Sequence, residues 1–177
     1  MWQLLVLLGL LAYSLFLLFL ISSAFSAFAR TKVPFVPSRV RDIEEAIRLA
    51  KVSERDMVLD LGSGNGRVVF LFEDLGGARG FGIETGLWMH GYAKLKALFK
   101  KSNAKFVCGD IFKEPWREAT VIYSYLYPPL MQRVQDKFTS EAQPGTRLVV
   151  KDFKLPSLAP KQKVDLDSVH TLYLYEL

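Results

Sequence analysis

Three acidic residues and a run of glycines have the types and spacing to do chemistry in this chain. Asp60-Leu61-Gly62-Ser63-Gly64-Asn65-Gly66-Arg67 closes an apolar stretch and opens a helical one. Glycine is needed where the backbone takes a positive φ or must approach a ligand closely. A helix start offers free N–H groups and the positive end of the helix dipole. A dinucleotide turn, G-x-G-x-x-G, would put its third glycine where Arg67 stands, so the spacing here is G-x-G-x-G instead. No Lys-Ser/Thr pair follows, which excludes a P-loop. Glu84 closes a second apolar run, and Asp110 closes a third, next to Ile111 and Phe112. A carboxylate in Glu84's place can accept both hydroxyls of a ribose. One in Asp110's place can accept an exocyclic amine, with the apolar pair against an adenine face. Each acid alone also fits a helix cap or a solvated turn. Together, at or near the carboxyl ends of successive strands, Asp60, Glu84 and Asp110 point to a nucleoside-containing ligand bound where open α/β sheets bind ligands.

These residues need strands ending at one edge and helices leading away from it. The pattern supplies them. Strands are predicted over 57–61, 80–84, 105–110, 119–126 and 146–151, with a closing hairpin-like pair over 164–166 and 169–176. Helices are predicted over 39–50, 67–75, 87–101 and 129–141, the first capped by Ser38. Strands alternating with helices imply an α/β, Rossmann-like, doubly wound and mostly parallel sheet. The expected organisation is an anchor helix over 1–29, an extended linker over 30–38 and one catalytic domain over 39–177.

The anchor follows from charge placement. The chain has 177 residues, with 23 Lys+Arg, 18 Asp+Glu and a net charge of +5, yet no charged side chain precedes Arg30. A bilayer core of about 30 Å needs about 20 apolar residues in a helix, and the stretch from Trp2 to Ala29 meets that. Arg30, Lys32, Arg39 and Arg41 follow it, so the positive-inside tendency keeps the domain on the cytoplasmic or equivalent inner side of the membrane. Ala27-Phe28-Ala29 would suit signal-peptide cleavage, but the basic leading region is missing and the apolar run is too long. The basic residues next to the anchor suit topology and anionic lipid heads rather than nucleic acid. One cysteine excludes a disulfide scaffold, and His90 and His170 are too isolated to pair on a metal. Cys108 reads as a small core residue.

The glycine turn and the acids resemble those of the seven-strand (class I) S-adenosylmethionine-dependent methyltransferases. From Pro34 to about Phe153 the chain is similar to one branch, the small protein-lysine methyltransferases of archaea. Mitochondrial relatives of that branch modify the adenine nucleotide translocase and the ATP synthase c-subunit. The matching pieces are Pro34-Phe35-Val36-Pro37-Ser38, Val58 to Arg67, Gly82-Ile83-Glu84, Gly109-Asp110-Ile111-Phe112, Glu118 to Ile122, Tyr125-Leu126-Tyr127-Pro128 and Pro144 to Val149. The resemblance implies S-adenosyl-L-methionine as cofactor. Its binding set would be Asp60, Gly62, Ser63, Gly64, Gly66, Glu84, Asp110 and Ile111. Within that set Asp60, Gly62 and Gly64 would hold the methionine part, Glu84 the ribose, and Asp110 with Ile111 the adenine. The chain departs from the branch at Thr85-Gly86, and at Lys151-Asp152 where many relatives have Ser-His.

Transfer of a methyl group from a sulfonium needs a neutral acceptor amine. Free lysine titrates near 10.4, so desolvation beside aromatic faces helps it lose its proton. Phe35, Tyr125 and Tyr127, with Tyr123, could line such a pocket, whose π faces also tolerate a methylammonium. Tyr127-Pro128-Pro129-Leu130 lacks the acid or amide and the aromatic that flank the two prolines in base-methylating enzymes. The expected acceptor is a lysine of a membrane or membrane-associated protein. A lipid, a quinone or another small apolar acceptor, or a silent methyltransferase-like binding domain, remain alternatives.

Overall fold

In a computed structural model, residues 2–31 and 36–177 are described, with side chains over 2–22 and 36–177. Helix α1 (Trp2–Thr31) is followed by α2 (Val40–Leu49), β1 (Met57–Leu61), α3 (Arg67–Gly76), β2 (Arg79–Glu84), α4 (Leu87–Lys100) and β3 (Lys105–Cys108). Then come β4 (Val121–Ser124), a 3-10 turn (Pro128–Leu130), α5 (Met131–Glu141), β5 (Arg147–Lys151), β6 (Gln162–Asp165) and β7 (Thr171–Glu176). The seven strands form one sheet in the order β3-β2-β1-β4-β5-β7-β6. β1 to β5 run parallel, while β7 is antiparallel to both β5 and β6. The order reverses at β1, with β2 and β3 on one side and β4 and β5 on the other. That leaves a crevice at the carboxyl ends of β1 and β4.

Strand alternation divides the core. Val58, Val121, Tyr123 and Val149 face α2 and α3, and pack with Ile43, Ala46, Val68 and Phe72. Leu59, Leu61, Ile83, Ile122 and Val150 point the other way, against Trp116 and the Met131, Val134 and Phe138 face of α5. Asp60 shares the face of Val58 and lies in register with Tyr123 on β4 and Gly82 on β2, among apolar neighbours.

Several expectations change at element ends. Helix α1 runs to Thr31, two residues past the anchor's expected end. Ser38 does not cap α2. Its hydroxyl instead shares a hydrogen bond with the Tyr123 phenol at 2.9 Å, and Arg39 takes the cap position without a side-chain bond. β4 ends at Ser124, so Tyr125 and Tyr127 do not share a strand face. Pro128 and Pro129, which lack an N–H for a ladder, turn the chain into a 3-10 turn just beyond. β3 stops at Cys108, which is exposed rather than in the core because the strand is at the sheet edge and ends there.

Candidate active site

The glycine turn is built as its spacing requires. Gly62, Gly64 and Gly66 all have positive φ, at 80°, 51° and 76°. At Gly66 a side chain is excluded twice over: an added Cβ would also lie 2.7 Å from Phe106 and 2.8 Å from Phe70. The turn is pinned to β2 from both ends. The N–H groups of Gly62 and Ser63 donate to the Ile83 carbonyl at 2.9 Å each. Glu84 reaches back, accepting from the Gly64 N–H at 2.8 Å and from the Gly86 N–H at 2.6 Å. An ionised carboxylate has about four acceptor positions, so Glu84 can hold the turn and still accept from a ligand's hydroxyls.

Asp60 is 3% exposed. Burial, and then the neighbouring Glu84 charge, push its carboxyl up to about 8. Among the described residues no basic side chain pairs with it, so a cationic ligand group is the natural partner for its charged form. Ser124, at the end of β4, is fully buried and its hydroxyl has no hydrogen-bond partner among the described residues. The Ser63 hydroxyl is likewise unpartnered and is turned inward, because a Cβ on Gly82 would lie 2.6 Å from it. The turn, the two acids and the orphaned Ser124 hydroxyl suit a donor with a cationic amino-acid end and a ribose.

Asp110 lies two residues beyond β3. Its carboxylate accepts the Phe112 N–H at 2.9 Å, and its carbonyl accepts from Lys113 at 2.8 Å and Glu114 at 3.1 Å. This shapes the loop that leads past Ile111, which is largely buried against Trp116. The indole N–H of Trp116 donates to the Ile111 carbonyl at 2.8 Å.

The described residues expected to line an acceptor pocket lie in and around the ends of β4 and β5. Phe35 falls outside the described residues. Tyr123 is buried with its phenol on Ser38, and burial raises its ionisation well above the usual tyrosine value. Tyr127 is 48% exposed at the rim. Tyr125 is the half-buried aromatic, and burial and then the Asp152 charge push its phenol up to about 12. Lys151, 2% exposed, ends β5 with its ammonium 4.2 Å from the Tyr125 ring centre and 2.7 Å from the Asp42 carboxylate. Arg39 meets that same Asp42 at 3.1 Å and Asp167 at 2.7 Å. Asp152, at a positive φ of 66°, meets His170 at 2.9 Å and accepts the Thr171 N–H at 3.0 Å. Sequence reasoning marked Lys151-Asp152 only as a departure, and missed Asp42 and His170 as its partners. Asp42 carried no signal, since an acid in a first helical turn reads as a dipole partner.

Comparison with known proteins agrees with this geometry. Residues 60–162 match the ANTKMT methyltransferase domain. The chain is 30% identical over 149 residues to a protein-lysine N-methyltransferase of Saccharolobus islandicus, covering 81% of this chain and 92% of that protein. It is 32% identical over 134 residues to the adenine nucleotide translocase lysine N-methyltransferase of Mus musculus, covering 74% of this chain and 58% of that one. A crystal structure described as an RNA methyltransferase from Salinibacter ruber, in complex with S-adenosyl-L-homocysteine, superposes with a TM-score of 0.77. It has 34% identity and covers 80% of this chain and 93% of that chain. The match runs from the acid that opens the glycine turn to the first residues of the antiparallel hairpin, more than half of the chain. The chain therefore belongs to the ANTKMT methyltransferase domain family, and it is a methyltransferase whose donor is S-adenosylmethionine.

Proposed function

We propose that the protein methylates a lysine side chain of a membrane or membrane-associated protein, and that α1 anchors it in the membrane with the domain on the inner side. The observation that carries the lysine reading is the Lys151 ammonium over the Tyr125 ring, 4.2 Å from its centre. We take this internal contact as a precedent for an alkylammonium on an aromatic face at the ends of β4 and β5. The lysine methyltransferases among the relatives support the same class. The anchor rests on the Trp2–Ser22 stretch of α1, which is long and apolar enough to cross a membrane, and on the basic residues that follow the helix.

When bound, S-adenosylmethionine supplies an electrophilic methyl on a sulfonium. The chain's part is positioning and desolvation. Asp60, with the turn at Gly62 and Gly64, would hold the amino-acid end of the donor, Glu84 the ribose, and the Asp110-Ile111 loop the adenine. Tyr125 and Tyr127 flank the way in from the ends of β4 and β5 and orient the incoming amine. An amine leaving water beside these rings loses its proton more readily, because burial disfavours its charged form. Holding that neutral amine in line with the methyl carbon turns a bimolecular displacement into an intramolecular one.

The test is methyl transfer by the full chain with isotopically labelled donor. Host membranes are offered as protein acceptor and total RNA as the competing acceptor, with a Glu84→Ala variant as control. Mass spectrometry showing new methyl-lysine in a membrane protein, absent with the variant, is the expected result. Label found only in RNA or in lipid would overturn the lysine reading and leave the cofactor assignment standing.

A further inference from the structure

Helix α4 turns its small side chains to the sheet and its large apolar ones to the outside. Ala93 and Ala97 are its buried residues, packed with Val69, Phe70 and Phe106. Outward stand Trp88, Tyr92, Leu95, Leu98 and Phe99, the last three 53%, 73% and 78% exposed. At 3.6 residues per turn, these five and Leu87 fall within an arc of about 140°. Lys94 borders that arc on one side, with Lys101 just past the helix end. Lys96 and Lys100 border it on the other and lean over the Phe70 ring, 5.0 and 5.7 Å from its centre. Between Glu84 and Asp110 the chain carries five lysines and no acidic residue. Lys100 has a partner in Asp74 at 2.9 Å, on the sheet side of the helix.

We infer that α4 is a membrane-surface helix, whose apolar stripe sinks into the lipid interface while its flanking lysines reach anionic headgroups. Three observations favour a bilayer over a second copy of the chain or a soluble partner. Lysines on both flanks of an apolar arc can bury their stems and keep their ammonium groups at headgroup level. The excess of lysine along α4 complements an anionic leaflet. The stripe also continues onto the candidate membrane span: Phe16 of α1 meets Trp88 edge-on, ring centres 5.6 Å apart. Because α4 starts where β2 ends, its Trp88 end lies at the same edge of the sheet as Glu84. Docking through α4 would hold the strand ends, and with them the methyl-transfer site, close to the headgroups. The inference concerns only how the domain sits and does not depend on which acceptor it methylates.

The test uses the full chain in vesicles of phosphatidylcholine, alone or mixed with phosphatidylserine. In a Cys108→Ser background, a nitroxide is attached through Leu95→Cys or Phe99→Cys, and through Ser140→Cys on α5 as the solvent-facing control. Collision with oxygen, which partitions into lipid, is compared with collision with a water-soluble nickel chelate. The inference expects a several-fold higher oxygen-to-nickel ratio at the two α4 sites than at the control. The ratio should be largest with phosphatidylserine and reduced by Lys94→Glu with Lys101→Glu. Nickel access equal to the control overturns it. Shielding from both reagents also overturns it, in favour of a protein covering the stripe. Cofactor binding by the same samples reports on the methyl-transfer site separately.

Discussion

The ammonium of Lys151 lies 2.7 Å from the Asp42 carboxylate, and both side chains are almost wholly out of water. The pair ties the end of β5 to the first turn of α2 beneath the acceptor site. Breaking a buried pair from one side leaves a charge stranded and costs about 3–5 kcal/mol, whereas replacing both partners is far milder. Lys151→Met should therefore lower the denaturant midpoint strongly. Arg39 still touches Asp42, which favours the low end of that range. Lys151→Met with Asp42→Asn should recover most of the loss, as equilibrium urea unfolding will show.

The same contact sets an acid limit on stability. Burial alone would raise the Asp42 carboxyl, but hydrogen bonds from Arg39 and Lys151 outweigh it and hold it below the usual carboxylate value. A group depressed in the folded state contributes its stability above its unfolded pKa, about 3.9, and loses it as pH falls through the folded value. The thermal midpoint should drop below about pH 4, and the drop should be shallower in the double variant.

Asp60 makes the opposite prediction. Its carboxyl is raised to about 8 by burial and then by Glu84. Without ligand, the folded protein keeps a proton that the unfolded chain releases, so stability falls as pH rises from about 4 through 8. Asp60→Asn should raise the midpoint of the cofactor-free protein at pH 8. It should also weaken cofactor binding, since a hydrogen bond to a charged group is worth about 1.5–3 kcal/mol, or about 10–150-fold in affinity. Calorimetry across pH should show wild-type affinity rising towards pH 8 and a nearly flat response in the variant.

Glu84 holds the Gly64 and Gly86 N–H groups while facing the expected ribose. Glu84→Ala removes the turn's tether and the ligand's acceptor together, so cofactor affinity should fall by about 100-fold or more, as two charge-assisted bonds are lost. Glu84→Gln keeps one acceptor oxygen and should fall in between. A titration that leaves the affinity of Glu84→Ala unchanged would remove Glu84 from the cofactor site.

A Tyr125 variant tests the proposed acceptor side separately from the donor side. The Tyr125 ring already carries the chain's own Lys151 ammonium. In the proposed reaction the incoming amine makes a further contact of the same kind, worth about 0.5–2 kcal/mol. Tyr125→Ala should lower kcat/KM for a lysine acceptor by about 2–30-fold while leaving the cofactor Kd within about 2-fold. Tyr125→Phe keeps the ring and removes only the phenol hydroxyl, and should lie close to wild type. Equal losses in Kd and kcat/KM would place the residue on the donor side instead.

The glycine turn and the acids at the strand ends were legible in the sequence because they are local features. Gly62, Gly64 and Gly66 declare a turn that only positive φ can make. Asp60, Glu84 and Asp110 each stand at or just past the end of an apolar run, where a parallel sheet must bring them to one edge. The alternation of strands and helices fixed the α/β class for the same reason, since period and punctuation are properties of neighbours in the chain. The arrangement beyond β4 and β5 depended on contacts between distant segments. Ser38 looked like a cap and became the partner of Tyr123, 85 positions away. Asp42, which nothing in the sequence singled out, became the counter-ion of Lys151. Tyr125 was expected inside a strand over 119–126, but β4 ends at Ser124. Which side chain finds which charge is decided by the order β3-β2-β1-β4-β5-β7-β6 and by the segment packed over its end. A pair formed across that distance leaves no period, spacing or motif in the chain to announce it.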